Sequence, residues 1–122
     1  MIDPTKPIEH IILSACPNVE LTFPRGQPEF PLATFKVIGN SSEVVLDGRE
    51  RFSGLLIQID IWDNSTTRER CEETACAVSD AMIAAGFIRT GADNIDEKHL
   101  FRKTMTFRGT VDTKTGMIYE RS

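Results

Sequence analysis

Any chemistry in this chain would have to begin at Asp60, a carboxylate set among isoleucines in the stretch Leu55-Leu-Ile-Gln-Ile-Asp-Ile-Trp62. A lone charge is costly in such surroundings. A catalytic carboxylate also needs a second carboxylate, a histidine or a metal set within reach, and the sequence marks none beside it. The expected state of Asp60 is therefore an ion pair with an arginine on a neighbouring strand, such as Arg102 or Arg108. The two histidines, His10 and His99, stand far apart with no HxxH or HExxH companion, which speaks against ligation or proton transfer by either. Ser14-Ala-Cys16 has no nucleophile context, and the chain carries no phosphate-cradling glycine loop, no GxSxG and no CxxC pair. Cys16, Cys71 and Cys76 are odd in number, so no disulfide framework is expected. Cys71 and Cys76 would lie about 140° apart on a helix, which suits neither a shared metal nor a bridge. All three are expected to be buried structural thiols. No catalytic residue, metal or cofactor is expected, and the residues point to binding rather than to an enzyme.

The element that carries Asp60 is the most legible in the chain. In Phe52–Asp63, Leu55, Ile57, Ile59 and Ile61 share one parity, while Gln58 and Asp60 take the other. A period of two predicts a β-strand with one face in a core and the other toward something polar.

The rest of the chain supplies its neighbours. Asp3 or Thr5 can cap a first helix with a proline in its opening turn, and Ile8, Ile11, Ile12 and Ala15 form its apolar stripe. Val19, Leu21 and Phe23 alternate in a short strand, residues 24–28 form a loop, and Ala33, Phe35 and Val37 mark a second strand. Gly39-Asn-Ser-Ser42 predicts a flexible break. Glu43–Leu46, Asp47-Gly48 and Arg49–Arg51 then make a projecting hairpin arm, read either as a solvated hairpin tip or as an arm that orders on meeting a partner. After the central strand, Thr66-x-x-Glu69 fits a capping box. The helix that follows runs to about Ala85, with Cys71, Ala75, Val78 and Met82 as its stripe and Gly86 as its C-terminal cap. Phe87–Thr90 reads as a short strand and Lys98–Val111 as a second long one, with Met117–Tyr119 as a weak last strand. In that long strand Phe101, Met105, Phe107 and Val111 share a parity that Lys103 interrupts, and Arg102, Thr104, Thr106, Arg108 and Thr110 form the polar one.

These elements predict an α+β fold in a single domain over residues 1–122: a mostly antiparallel sheet, two helices packed on one face as a two-layer sandwich, and a projecting hairpin arm. The opposite face would show Gln58, Asp60, Arg102, Thr104, Thr106 and Arg108, with Trp62 at its rim. With Asp47, Arg49, Glu50 and Arg51 of the arm, Gln58, Asp60, Trp62, Arg102 and Arg108 form the candidate interface. A net charge of −4 argues against a dedicated or sequence-specific nucleic-acid binder. No apolar run approaches the roughly 18 residues of a membrane span and no leader pattern opens the chain, so a cytoplasmic protein is expected.

Leu46-Asp47-Gly48, then Gln58-Ile-Asp-Ile-Trp62, then the alanine-bearing helix and Gly86-Phe87, resembles the phage tail-completion proteins, also called tail terminators. Their pattern has a short first helix, a strand reading roughly "QIDVW", an alanine-rich helix, a "GF" strand start and a final long strand rich in Arg, Thr and aromatics. The resemblance spans roughly residues 8–111, and the order of elements carries as much of it as the short motifs. This sequence departs from the pattern in a rather long arm at residues 39–51. The resemblance implies a virion structural protein of the tail and neck, present in the host cytoplasm during assembly. Such proteins form a homo-oligomeric ring, commonly a hexamer, that caps the tail tube. The implied partners are the major tail tube protein and the head-tail connector or head-closure protein, and no catalytic residue carries over. Two alternatives stand beside it. One is another neck component, such as a head-closure or adaptor protein. The other is a small α+β ligand-binding module or enzyme, which requires a concave pocket around Asp60, Arg102 and Arg108.

Overall fold

In the computed structural model, residues 4–21, 29–46, 49–97, 99–112 and 118–119 are described. They form α1 (Thr5–Leu13), β1 (Asn18–Leu21), β2 (Leu32–Leu46), β3 (Arg49–Asp63), α2 (Glu69–Ala84), β4 (Ile88–Asn94), β5 (Phe101–Asp112) and β6 (Ile118–Tyr119). The alternation in β3 does what period-two burial requires: Leu55, Ile57, Ile59 and Ile61 are all 2% exposed or less. β5 adds Met105, Phe107 and Val111 to the same face, and the helices press Ile8, Ile12, Cys71, Ala75, Val78 and Met82 against it. The strand order is β1-β2-β3-β5-β4, with β6 paired to β5. Every ladder is antiparallel except the one between β1 and β2. The architecture is an α+β sheet with its helices packed against it. None of the described helices is long and apolar enough to cross a membrane.

Helix starts depart from their sequence signals; α1 ends early, at Leu13, leaving Ala15 of the expected stripe beyond it, while α2 ends where its glycine predicts. Neither helix has a side-chain N-cap: Pro4 occupies that place in α1 and Arg68 in α2. Thr5 is already the first helical residue, and Asp3 lies outside the described residues. The Thr66/Glu69 box does not form because the chain leaving β3 is organised around the buried carboxylate of Asp63 instead. Arg70 Nε donates to it at 2.8 Å, and the Ser65 hydroxyl donates to it as well. At the other end, Gly86 takes φ 111°. Its N–H donates to Ile83 O at 3.0 Å while that of Phe87 donates to Met82 O at 3.0 Å. This is the paired closure that a left-handed glycine permits.

Gly39–Ser42 is not a break. The β2–β3 ladder runs on through Gly39↔Leu56, Asn40↔Leu55 and Ser41↔Gly54 to Leu46↔Arg49, and bulges between Val37 and Val45 absorb the extra residues. Among the described residues β5 accompanies β3 as far as Phe52↔Asp112, and the rungs Val45↔Glu50 and Leu46↔Arg49 continue beyond it as a two-stranded arm. Asp47 and Gly48 at its turn, and Met117 before β6, lie outside the described residues.

Val19 and Leu21 stand opposite Ala33 and Phe35 and so share the core parity, but Leu21, on the edge strand, is still 54% exposed; Phe23 lies outside the described residues. Two further residues depart from the sequence pattern. Lys103 stands on the core parity because its Nζ reaches Glu72 of α2 at 2.9 Å, which supplies a charge partner where the sheet passes beneath the helix start. Cys16 and Cys71 are buried but Cys76 is exposed. Five residues of helix rotate it off the stripe that buries Cys71.

Three buried groups bear on the pH range of the fold. Burial pushes the Asp63 carboxyl up, but the Arg70 guanidinium, the Ser65 hydroxyl and the Asn64 amide outweigh it and hold it below the usual carboxylate range. A depressed carboxylate contributes stability that is present above its unfolded value near about 4 and is lost as pH falls through the folded value. Burial pushes the Cys71 thiol up to about 11, and it raises Cys16 as well. A raised thiol contributes stability that is complete below about pH 8.5 and declines as pH rises toward the folded value. The thermal midpoint is therefore expected to hold between about pH 5 and 8, and to fall on both sides. Circular-dichroism melts check this, with Cys71→Ala flattening the alkaline limb. An alkaline limb unchanged in that variant would contradict it.

Candidate functional site

The face of the sheet away from the helices is built from successive rungs across the strands. Leu32↔Trp62↔Arg102 comes first, then Thr34↔Asp60↔Thr104↔Asp93, then Lys36↔Gln58↔Thr106↔Gly91, and last Gly39↔Leu56↔Arg108↔Ile88. Because directly paired residues share a face, the strand register alone brings Gln58, Asp60, Trp62, Arg102 and Arg108 onto one surface. The arm residues Arg49 and Glu50 are placed by the rungs named above, with Arg51 next along β3. Asp47 lies outside the described residues.

Asp60 is 8% exposed and pairs with Arg102, whose Nη2 stands 3.0 Å from Oδ2. Arg102 lies one diagonal step from Asp60, whereas Arg108 is four residues from Asp60's partner Thr104, about 14 Å along the strand. Arg108 is therefore not a partner of Asp60. Gln58 Nε2 donates weakly to both Asp60 oxygens at 3.3 Å. The other arm of Arg102, Nη1, donates to Glu97 at 2.9 Å, so one guanidinium ties the sheet to the β4–β5 connection. Its plane also covers an aromatic ring, with Cζ 4.7 Å from the centroid of Trp62. Trp62 stands in the end rung of this face but is buried: it is 1% exposed and its Nε1 donates to Thr34 Oγ1 at 2.9 Å, so it forms a floor beneath Arg102.

Over that floor lies a depression of about 290 Å³ lined by Thr34, Lys36, Gln58, Asp60, Trp62 and Arg102. Arg108 is outside it. Sequence reasoning passed over Thr34, Lys36 and Glu97. Lys36 and Thr34 share a parity with each other, but only the register opposite Gln58 and Asp60 reveals that they belong here. A second depression of about 300 Å³ lies between the β3–α2 turn and the β4–β5 connection, where Ser65, Thr66, Asp96, Glu97 and His99 converge. Two of its lining residues are held by Arg68, whose Cζ stands 5.0 Å over the Phe101 ring and which pairs with Asp96. The hydrogen bond from Arg68 is the main reason the Asp96 carboxyl sits below its usual range. Among the described residues no three His, Cys, Asp or Glu side chains gather to hold a metal.

What this surface offers chemically is paired charges, hydroxyls and an amide on a rigid sheet: a wet, directional contact surface. No family model matches the chain, and no curated protein matches it.

Proposed function

We propose that this chain is a tail-terminator subunit, a phage structural protein whose copies close into a ring, hexameric in the assembled virion, that caps the tail tube and joins it to the head connector. The observation that carries the reading is the Gln58–Trp62 strand lying mid-sheet with its polar parity on the face away from the helices. A hairpin arm running past the sheet beside it is the second surface that such an assembly would use. Small domains assemble cyclically through heterologous surfaces, and a mixed-charge face favours complementarity over nonspecific adhesion. The mechanism is binding to the major tail tube protein on one side and to the connector or head-closure protein on the other. No catalytic residue or cofactor enters it. Native mass spectrometry of the chain with its tube protein tests the proposal: it is expected to give a chain–tube complex of several copies. A chain that never associates with tube or connector would sink it. A monomer in isolation would not, because the ring can close on the tube alone.

The depression over Trp62 favours a second reading, a binding module for a small polar ligand, since about 290 Å³ approaches the size of small-molecule sites. That reading expects a thermal shift with some small ligand that Asp60→Asn and Arg102→Ala both abolish.

A further inference from the structure

The charges of this chain divide by use. Asp60 and Glu97 are held by Arg102, Asp63 by Arg70, Asp96 by Arg68, and Glu72 by Lys103. Among the charges for which no ion pair is formed with a described residue, Lys36 and Arg108 are exposed on the open sheet face, whereas Glu69, Glu73 and Asp80 are exposed on the outer side of α2. Two acids share the open face, both on its flanking strands: Glu20, opposite Thr34 on β1, and Asp93, opposite Thr104 on β4, whose carboxylate accepts from the N–H of Asn94 at 2.8 Å. On the helix side Arg89 donates to Ser79 of α2 at 3.0 Å.

We propose that the open sheet face of one copy docks on the outer face of α2 of a second copy, with Lys36 and Arg108 meeting Glu73 and Asp80. The spacings agree. Glu73 and Asp80 are seven residues apart on one side of the helix, about 10.5 Å along its axis. Lys36 and Arg108 are two strands apart and one same-face step apart, which places their Cα atoms about 12 Å from each other. Long cationic side chains absorb the difference. Between the two acids, α2 shows only Cys76 and Ala77 to the outside, small enough for close approach to Gln58 and Thr106. Apolar contacts have places on both sides: Ile38 is 45% exposed, bulged from β2 next to Lys36's row, and Ile83 is 50% exposed just past Asp80. The line from Lys36 to Arg108 runs diagonally, so the docked helix crosses the strands. Two different faces joined head to tail make a heterologous contact, which closes a ring or runs on as a filament. The inference thus deepens the ring reading by naming its subunit contact, and rests on that reading only for closure.

The test is a charge exchange read by sedimentation velocity at low salt. The wild-type chain is expected to associate with rising concentration and to dissociate as salt shortens the reach of exposed charges to about 10 Å or less. Lys36→Glu with Arg108→Glu, and separately Glu73→Lys with Asp80→Lys, should each weaken association by about tenfold or more. Mixed in equal amounts, the two variants present opposite charges again in both contact directions, and association should return. All four positions are exposed, and melting curves check that each variant folds. A wild-type chain that stays monomeric at low salt overturns this contact and leaves the ring reading to the tube experiment. Association indifferent to the exchanges, or not restored by mixing, overturns the contact while keeping a ring.

Discussion

Phe87→Ala is expected to lower the folding free energy by about 3–5 kcal/mol, the range for deleting a buried aromatic ring. Phe87 is 2% exposed and sits where α2 hands the chain to β4, fixed by its N–H to Met82 O. Its ring lies on Gly109 of β5: a Cβ built on that glycine would fall 2.5 Å from Cδ1 and 2.7 Å from Cε1. The strand glycine is thus a seat for the ring rather than a turn. Gly109→Ala should cost about 1–3 kcal/mol by overpacking, although alanine is otherwise the better strand residue. The two substitutions should also couple, because the alanine methyl enters the space that Phe87→Ala vacates, and the double variant should be more stable than the sum of the single losses implies. Urea unfolding of the four proteins measures the cycle. A neutral Gly109→Ala, or strict additivity, would contradict this packing.

Trp62→Ala carries the other large effect, about 3–5 kcal/mol. It removes the floor of the open face and the support of Arg102, and so loosens the guanidinium that joins Asp60 to Glu97. Trp62→Phe keeps most of the ring area but loses the donor to Thr34, and should cost only about 1 kcal/mol. Trp62 is the single tryptophan of the chain, so its emission reports on this face alone. The wild-type protein should emit in the blue and resist aqueous quenchers, because the indole is 1% exposed. Arg102→Ala should shift the emission to the red and admit the quencher. Emission of an exposed indole in the wild-type protein would contradict the stacked arrangement.

Period-two and helical patterns were legible wherever burial alone wrote them. The odd residues of β3, the Cys71–Met82 stripe and the Gly86 cap all followed from which side of an element meets the core. Features decided by two elements at once were not legible. Lys103 looked like an interruption until Glu72 of α2 stood over it, and Gly109 carried no signal until Phe87 was placed upon it. The capping box failed because Asp63 competed for the turn that it would have used. The parallel pairing of β1 and the unbroken β2–β3 ladder needed strand register, which a single sequence does not contain. On the candidate surface, Asp60 and one of its two proposed arginines were found from the sequence. Arg108 and Trp62 were assigned to the right face, but the one lies too far along the strand and the other too deep to play the parts foreseen for them.

The central claim is that this fold caps a tail tube by binding. Electron microscopy of polymerised tail tubes incubated with the chain tests it most directly. The account predicts a ring of density closing one end of each tube, with growth halted there. Tubes whose ends stay bare and continue to elongate at saturating concentrations of the chain would contradict it.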